Sequence, residues 1–212
     1  YGISQSILGR VAEVASGKSF DIFLKESLFD PLEMNRTGFY LDKKTKKLLQ
    51  PLYVSGGNLE GFNEDGITRI GNMMTYHKDS QTPLGAEGIL TTSGDFSNFC
   101  EMLVNNGNFK GKKILDPESI GLMTSKFSEG YPEEYWGEQY FLGFYKGLSV
   151  YVLEDPNKMN LFAPKGIYGW SGLQTTFFWI DPKNSIYGIL LSRSMSTGLP
   201  YEELLNNTYE NF

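Results

Sequence analysis

The stretch YGISQSILGRVAEVASGKSFDIFLKESLFDPLEM, residues 1–34, decides how this chain is read. Ile3, Ile7, Leu8, Val11, Val14 and Ala15 recur at helical spacing, and Gly17 follows where a helix closes on a left-handed residue. That pattern predicts an amphipathic helix ending at Gly17. Ser19 stands where it can cap a second helix carrying Phe20, Phe23, Leu24 and Leu28. This helix should stop before Pro31, because proline disfavours helical geometry in the residue preceding it. Two helices meeting at a tight corner read as the interior of a folded domain, with its beginning upstream of Tyr1.

Further along, the helical pattern fades. From Thr37 to about Pro83 the chain is rich in glycine, asparagine and charge, a long loop-rich excursion of the kind that borders functional sites. Asp95 opens another helix with Phe96, Phe99, Cys100 and Leu103 on one face, stopped by Asn105-Asn106-Gly107. Asp116-Pro117 starts a shorter one, with proline at its first position. After Tyr140 the period changes to two: Leu142, Phe144, Leu148, Val150 and Val152 fall on alternate positions, with Gly143, Lys146, Ser149 and Tyr151 among the residues between them. Gln174 to Ile180 and Ser185 to Leu191 flank Asp181-Pro182-Lys183-Asn184, a turn between antiparallel strands. Tyr201, Leu204, Leu205 and Tyr209 return to helical spacing. Helices followed by an antiparallel sheet with a terminal helix is an α+β layout, helical and loop-rich over about 1–139 and sheet plus terminal helix over about 140–212. There is no internal repeat.

Composition narrows the function classes. With 212 residues, 40% of them hydrophobic and 15% aromatic, the chain has the material for a proper core. Its 25 acidic residues outnumber 19 basic ones, and the only basic run, Lys43-Lys44-Thr45-Lys46-Lys47, lacks apolar periodicity and reads as a solvated loop. A nucleic-acid partner is therefore not expected. No apolar stretch approaches the ~20 residues that span a bilayer, and compartment is left open. A single cysteine cannot form an intrachain disulfide, and one histidine with one cysteine cannot assemble a zinc site, so neither a metal nor another cofactor is called for. His77 and Cys100 could formally pair as base and nucleophile. Cys100, however, shares the apolar helix face with Phe96, Phe99 and Leu103, where thiols are packing groups.

Gly169-Trp170-Ser171-Gly172 looks like a nucleophile elbow until Leu173, where G-x-S-x-G requires glycine. A strand follows it instead of a helix, and the only histidine lies upstream, so the α/β-hydrolase reading fails.

Taken together, the opening segment and three later blocks resemble the β-lactamase-related serine hydrolases, which include class C β-lactamases, penicillin-binding-protein-like proteins, serine carboxylesterases and D-amino-acid peptidases. The opening runs YGISQSILGRVAEVASGKSF and LFDPLEMNRTGFY. The later blocks are Gly85-Ala86-Glu87-Gly88-Ile89-Leu90-Thr91-Thr92 with Gly94-Asp95-Phe96; Leu103-Val104-Asn105-Asn106-Gly107 with Gly111-Lys112-Lys113-Ile114-Leu115; and Gly169-Trp170-Ser171-Gly172 leading into Phe178-Trp179-Ile180-Asp181-Pro182. Each block is weak alone, and their order and spacing carry the likeness from Tyr1 to about Met195. The resemblance implies that residues 1–212 are the C-terminal portion of a single β-lactamase/transpeptidase-like α+β domain, an antiparallel sheet flanked by helices with a mostly helical and loop-rich subdomain.

The family works through three motifs, S-x-x-K, Y-x-N or Y-S-x, and K-T-G or H/W-x-G. The resemblance implies that Tyr1 is the second-motif tyrosine, which moves the proton from the nucleophilic serine to the leaving group. A phenol with an unperturbed pKa of about 10 needs a neighbouring cation for that task, and in the family the cation is the S-x-x-K lysine. Trp170, Ser171 and Gly172 match the third motif beside the substrate, and Leu173 would contribute a backbone N–H to the oxyanion hole. No S-x-x-K occurs in the 212 residues, Thr75-Tyr76-His77-Lys78 being the nearest approach. The serine and lysine are therefore expected upstream of Tyr1, and that N-terminal segment of the same domain is the expected partner, these residues alone being inactive. Ile3 replaces the amide-binding asparagine of the second motif, and Trp170 stands where a lactamase-type lysine would meet a substrate carboxylate. Both departures favour an ester over a β-lactam as the small-molecule substrate. A peptidase or weak lactamase, and a non-catalytic binding or sensor domain, stand as alternatives.

Overall fold

The computed structural model describes residues 3–50, 83–129, 142–172, 174–193 and 201–210. The chain divides into two compact units, Tyr1–Phe99 and Cys100–Phe212.

In the first unit, helix α1 (Ser4–Ser16) closes on Gly17, whose φ of 70° is left-handed and whose N–H donates to the Glu13 carbonyl at 2.9 Å. The expected corner follows at once, with helix α2 over Phe20–Leu24. Its start is capped from an unexpected place. Ser19 has extended cap geometry but makes no side-chain cap bond; instead the Glu13 carboxylate, reaching forward across the corner, accepts the Phe20 N–H at 2.9 Å. A π-helical turn over Lys25–Phe29 then widens the helix before Pro31 ends it. Phe29, Leu32, Met34 and Phe39 are buried behind this corner. Asp95 ties the unit together across sequence. Its carboxylate accepts the Arg36 N–H at 2.7 Å and the Thr37 hydroxyl at 2.8 Å, next to an antiparallel bridge between Gly38 and Leu90. Helix α3 (Ser93–Val104) starts two residues before Asp95, with the Thr92 hydroxyl accepting the Asp95 N–H. The lysines of the basic run at 43–47 are exposed, and a 3₁₀ turn spans Thr45–Leu48. The rest of the loop-rich excursion, residues 51–82 with His77, lies outside the described residues.

The second unit begins within α3, which unwinds through left-handed Asn106 and Gly107. A short hairpin, β1 (Asn108–Phe109) and β2 (Lys112–Lys113), leads to α4 (Pro117–Met123), with Pro117 at the first helical position as read. A six-stranded antiparallel meander follows: β3 (Ser128–Glu129), β4 (Phe144–Lys146), β5 (Tyr151–Leu153), β6 (Tyr168–Gly172), β7 (Thr176–Asp181) and β8 (Ile186–Leu190), each paired with the next. The alternation from Leu142 to Val152 is two strands, not one. Left-handed Ser149 turns the chain back, so that Phe144 faces Leu153 and Lys146 faces Tyr151. Tyr151, expected among the outward residues, is buried, because β5 is covered on both faces.

One sheet face carries Phe144, Tyr151, Leu153, Phe177 and Trp179 against Tyr201, Leu205 and Tyr209 of the terminal helix α5 (Tyr201–Tyr209). Trp179 needs room on both sides. Its neighbours across the ladders are Gly169 and Gly188, and a Cβ on Gly188 would collide with the indole ring. The β7–β8 turn is built on Asp181, which is fully buried. Its carboxylate accepts the Lys183 and Asn184 N–H groups, both at 3.0 Å, the Asn184 side-chain amide at 2.8 Å and the Tyr209 hydroxyl at 2.8 Å. Burial first, and this bond to Asp181 second, push the Tyr209 phenol up, so it stays a donor across the physiological range. We expect Tyr209→Phe to cost about 1.5–3 kcal/mol in urea denaturation, the loss typical of a hydrogen bond to a buried charged group. Tyr187→Phe, on a partly exposed strand position, should stay within about 0.5 kcal/mol.

Candidate active site

Trp170, Ser171 and Gly172 occupy consecutive positions on β6, in register with Phe178, Phe177 and Thr176 of β7. The glycines around them are set by close approaches. A Cβ at Gly169 would collide with the Phe178 carbonyl, and one at Gly172 with the Thr176 hydroxyl. Thr175, just before β7, is left-handed at φ 58°.

The other side of β6 differs. Its ladder with β5 covers only Tyr168–Val152 and Gly169–Tyr151, while the ladder with β7 runs on to Gly172. Trp170–Gly172 therefore extend beyond the β5 pairing, and among the described residues their strand partner is β7. Trp170 is half-buried and lies flat on Tyr151, with ring centroids 4.8 Å apart and planes 3° from parallel. Offset stacking of this kind is worth roughly 0.5–1.5 kcal/mol beyond burial and fixes the indole's orientation. Tyr151 thus fixes the Trp170 ring, a contact that a period-two reading of its strand missed. The available signal was Tyr-Val-Leu, three apolar residues in a row, which marks a strand buried on both faces.

Among the described residues, proton-transfer candidates are few. Burial pushes the phenols of Tyr40, Tyr145, Tyr168, Tyr201 and Tyr209 up, so none of these five is poised as a base. Tyr168 is raised by burial first and by the neighbouring Cys100 second. Cys100 is wholly buried and burial pushes its thiol to about 12, which removes it as a nucleophile. Lys126 bridges Glu154 at 2.9 Å and Glu129 at 3.1 Å on the surface, where its hydrogen bonds to the two carboxylates keep the ammonium charged. Tyr1 and Leu173 lie outside the described residues.

An antiparallel sheet packed on a terminal helix, with a W-S-G strand running past its neighbour, defines the β-lactamase/transpeptidase-like fold. The chain belongs to the beta-lactamase family, whose profile matches residues 3–206. Protein Rv1367c of Mycobacterium tuberculosis (strain ATCC 25618 / H37Rv) is 27% identical over 188 residues, covering 86% of this chain and 45% of the relative. Among solved structures, the chain is similar to EstCE1, described as a hydrolase with promiscuous acyltransferase activity, with a TM-score of 0.76 at 20% identity over 97% of this chain and 54% of that one. It is also similar to the LovD6 mutant of simvastatin synthase from Aspergillus terreus, with a TM-score of 0.77 at 18% identity, covering 100% and 55% of the two chains. The chain therefore spans about half the length of the proteins it matches.

Cys100 provides a direct check on the packing behind β6. At about pH 8, where a free thiol with pKa near 8.5 reacts readily, the native protein should leave 5,5′-dithiobis(2-nitrobenzoate) unreduced by Cys100. Denaturation should release this cysteine's equivalent of thionitrobenzoate. Rapid labelling of Cys100 in the native state would contradict the burial described.

Proposed function

We propose that the whole protein to which these residues belong is a serine hydrolase working through an acyl-enzyme, with esters of neutral, partly apolar acyl groups as its substrates. The observation that carries this reading is the Trp170–Tyr151 stack beside a strand segment left open on its β5 side. An aromatic wall at the third-motif position attracts apolar substrate atoms and offers no ammonium to a carboxylate, in contrast to the lysine of lactamase-type motifs.

In this reading Leu173 donates its backbone N–H to the oxyanion as the carbonyl becomes tetrahedral. The serine that attacks, and the lysine that lowers the Tyr1 phenol toward phenolate, belong to polypeptide outside these 212 residues. Tyr1 takes the serine proton during acylation and passes it to the departing alcohol. Water then attacks the acyl-enzyme, with the same tyrosine accepting its proton and returning it to the serine as the acid leaves.

With the full-length protein, p-nitrophenyl acetate should give a burst of p-nitrophenol, and a fluorophosphonate should form a serine adduct. Failure of both would leave a non-catalytic binding domain as the better account. Nitrocefin turnover faster than ester turnover would reverse the substrate ranking. Tyr1→Phe should slow acylation by about 10²–10⁴, and an unchanged burst rate would remove Tyr1 from the mechanism.

A further inference from the structure

Tyr151 belongs to two environments at once. It lies directly opposite Gly169 in the β5–β6 ladder. Because that glycine has no side chain to occupy the space, the Tyr151 ring can cross β6 and meet Trp170, one residue further along, at 4.8 Å. Trp170 is half-buried, whereas Tyr151 beneath it is 5% exposed and part of the core.

Tyr151 also lines a cavity, together with Phe144, Ile167, Phe177, Trp179 and Tyr201, all of them buried. The cavity measures about 10 Å³, about the space of one water molecule. As it stands it has no room for an alkyl chain. Of these six residues, Tyr151 is the one whose ring also stacks on Trp170. An apolar group passing along the indole toward the core therefore meets the Tyr151 ring, and behind that ring lies a nearly filled interior. A rigid ring at the end of an apolar wall sets a length as well as a polarity.

We propose that Tyr151 is a specificity-determining residue, with Trp170 forming the side of the acyl site and the Tyr151 ring its inner end, so that residue 151 limits the length of the acyl group. The proposal rests on the reading of Trp170 as the substrate wall and adds to it the residue that closes that wall. A shorter side chain at 151 joins the wall to the cavity. Enlarging the cavity while the tyrosine stays in place leaves the limit where it is.

The test uses the full-length protein and a series of straight-chain methyl ketones, which match the acyl half of an ester and bind reversibly without needing a nucleophile. In isothermal titration calorimetry the wild-type affinity should rise about fourfold per methylene up to a limiting length and then stop. Tyr151→Leu should move that limit outward by about two methylenes, a gain of about 16-fold for the longer ketones. Tyr151→Phe keeps the ring and should keep the wild-type limit. Ile167→Val widens the cavity, leaves the Tyr151 ring in place, and should keep it too. An unchanged limit in Tyr151→Leu, an equal shift in Ile167→Val, or no binding at any length would overturn the proposal. The wild type gives a reading that does not depend on how well Tyr151→Leu folds. A diazirine on the terminal carbon of the longest ketone bound should photolabel Tyr151, and labelling confined to other residues would refute the assignment. The p-nitrophenyl acetate burst separates the two readings. A length limit that follows residue 151 without a burst rejects the hydrolase alone, whereas a burst with a limit indifferent to residue 151 rejects the role of Tyr151 alone.

Discussion

In the second unit, everything from the sheet's register to the candidate site hangs on the Asp181 carboxylate. It is fully buried at the end of β7 and receives four hydrogen bonds, three from the turn that starts β8 and one from Tyr209 near the end of α5. A carboxylate removed from water without such partners would be strongly destabilising. The arrangement thus admits one turn geometry and one seating of α5, because any slip leaves an acceptor unsatisfied. With the turn fixed, Ile180 meets Tyr187 and Trp179 meets Gly188. A shift of one residue would exchange the two sheet faces. It would also place a side chain where the Trp179 ring now lies over glycine. The β6–β7 register follows from the same row, since Gly169 is the residue of β6 that the β7 main chain can approach.

From that register comes the position of Trp170. One residue past the Gly169–Tyr151 pair, it stands where β5 no longer runs alongside, and its ring is held by stacking on Tyr151 instead of by a flanking strand. A tryptophan fixed by a buried tyrosine is a different instrument from a lysine at the same place. Lysine brings a hydrated charge on a flexible stem, whereas the stack offers a rigid neutral surface whose preferences are apolar. The orientation of the Trp170 ring is therefore inseparable from β5, a strand of three residues in which Gly169-Trp170-Ser171-Gly172 has no part.

How much of this could be seen in the residues depended on how local the cause was. The α1–α2 corner was legible because glycine at a left-handed position and proline past a helix act over a few residues, and the Asp181-Pro182-Lys183-Asn184 turn was legible for the same reason. Gly169-Trp170-Ser171-Gly172 was legible as a strand, and it forms most of β6. What escaped were causes set by contact. Glu13, not Ser19, caps α2, because a carboxylate one turn before the corner can reach across it. The run from Leu142 to Val152 folds back at Ser149, a non-glycine residue in a left-handed conformation that no turn signature announced. Tyr151 was read as outward because alternation assumes that one sheet face is wet, and at β5 neither is.

Helix α1 shows the limit of periodicity most sharply. The spacing of Ile3, Ile7, Val11 and Val14 correctly marks one face of a helix as apolar, and the usual inference turns that face toward the nearest core. Here the nearest packing is made by the opposite face, through Gly9 and Gly85, whose lack of side chains lets the helix main chain come close. Close main-chain contact between glycines is short-ranged and indifferent to the hydrophobic stripe, so it can hold a helix with its apolar side outward. Periodicity reports which surface gains by leaving water, while the glycines report which surface is already in contact. Where the two disagree by half a turn, periodicity marks the apolar face correctly and misjudges the direction in which it is turned.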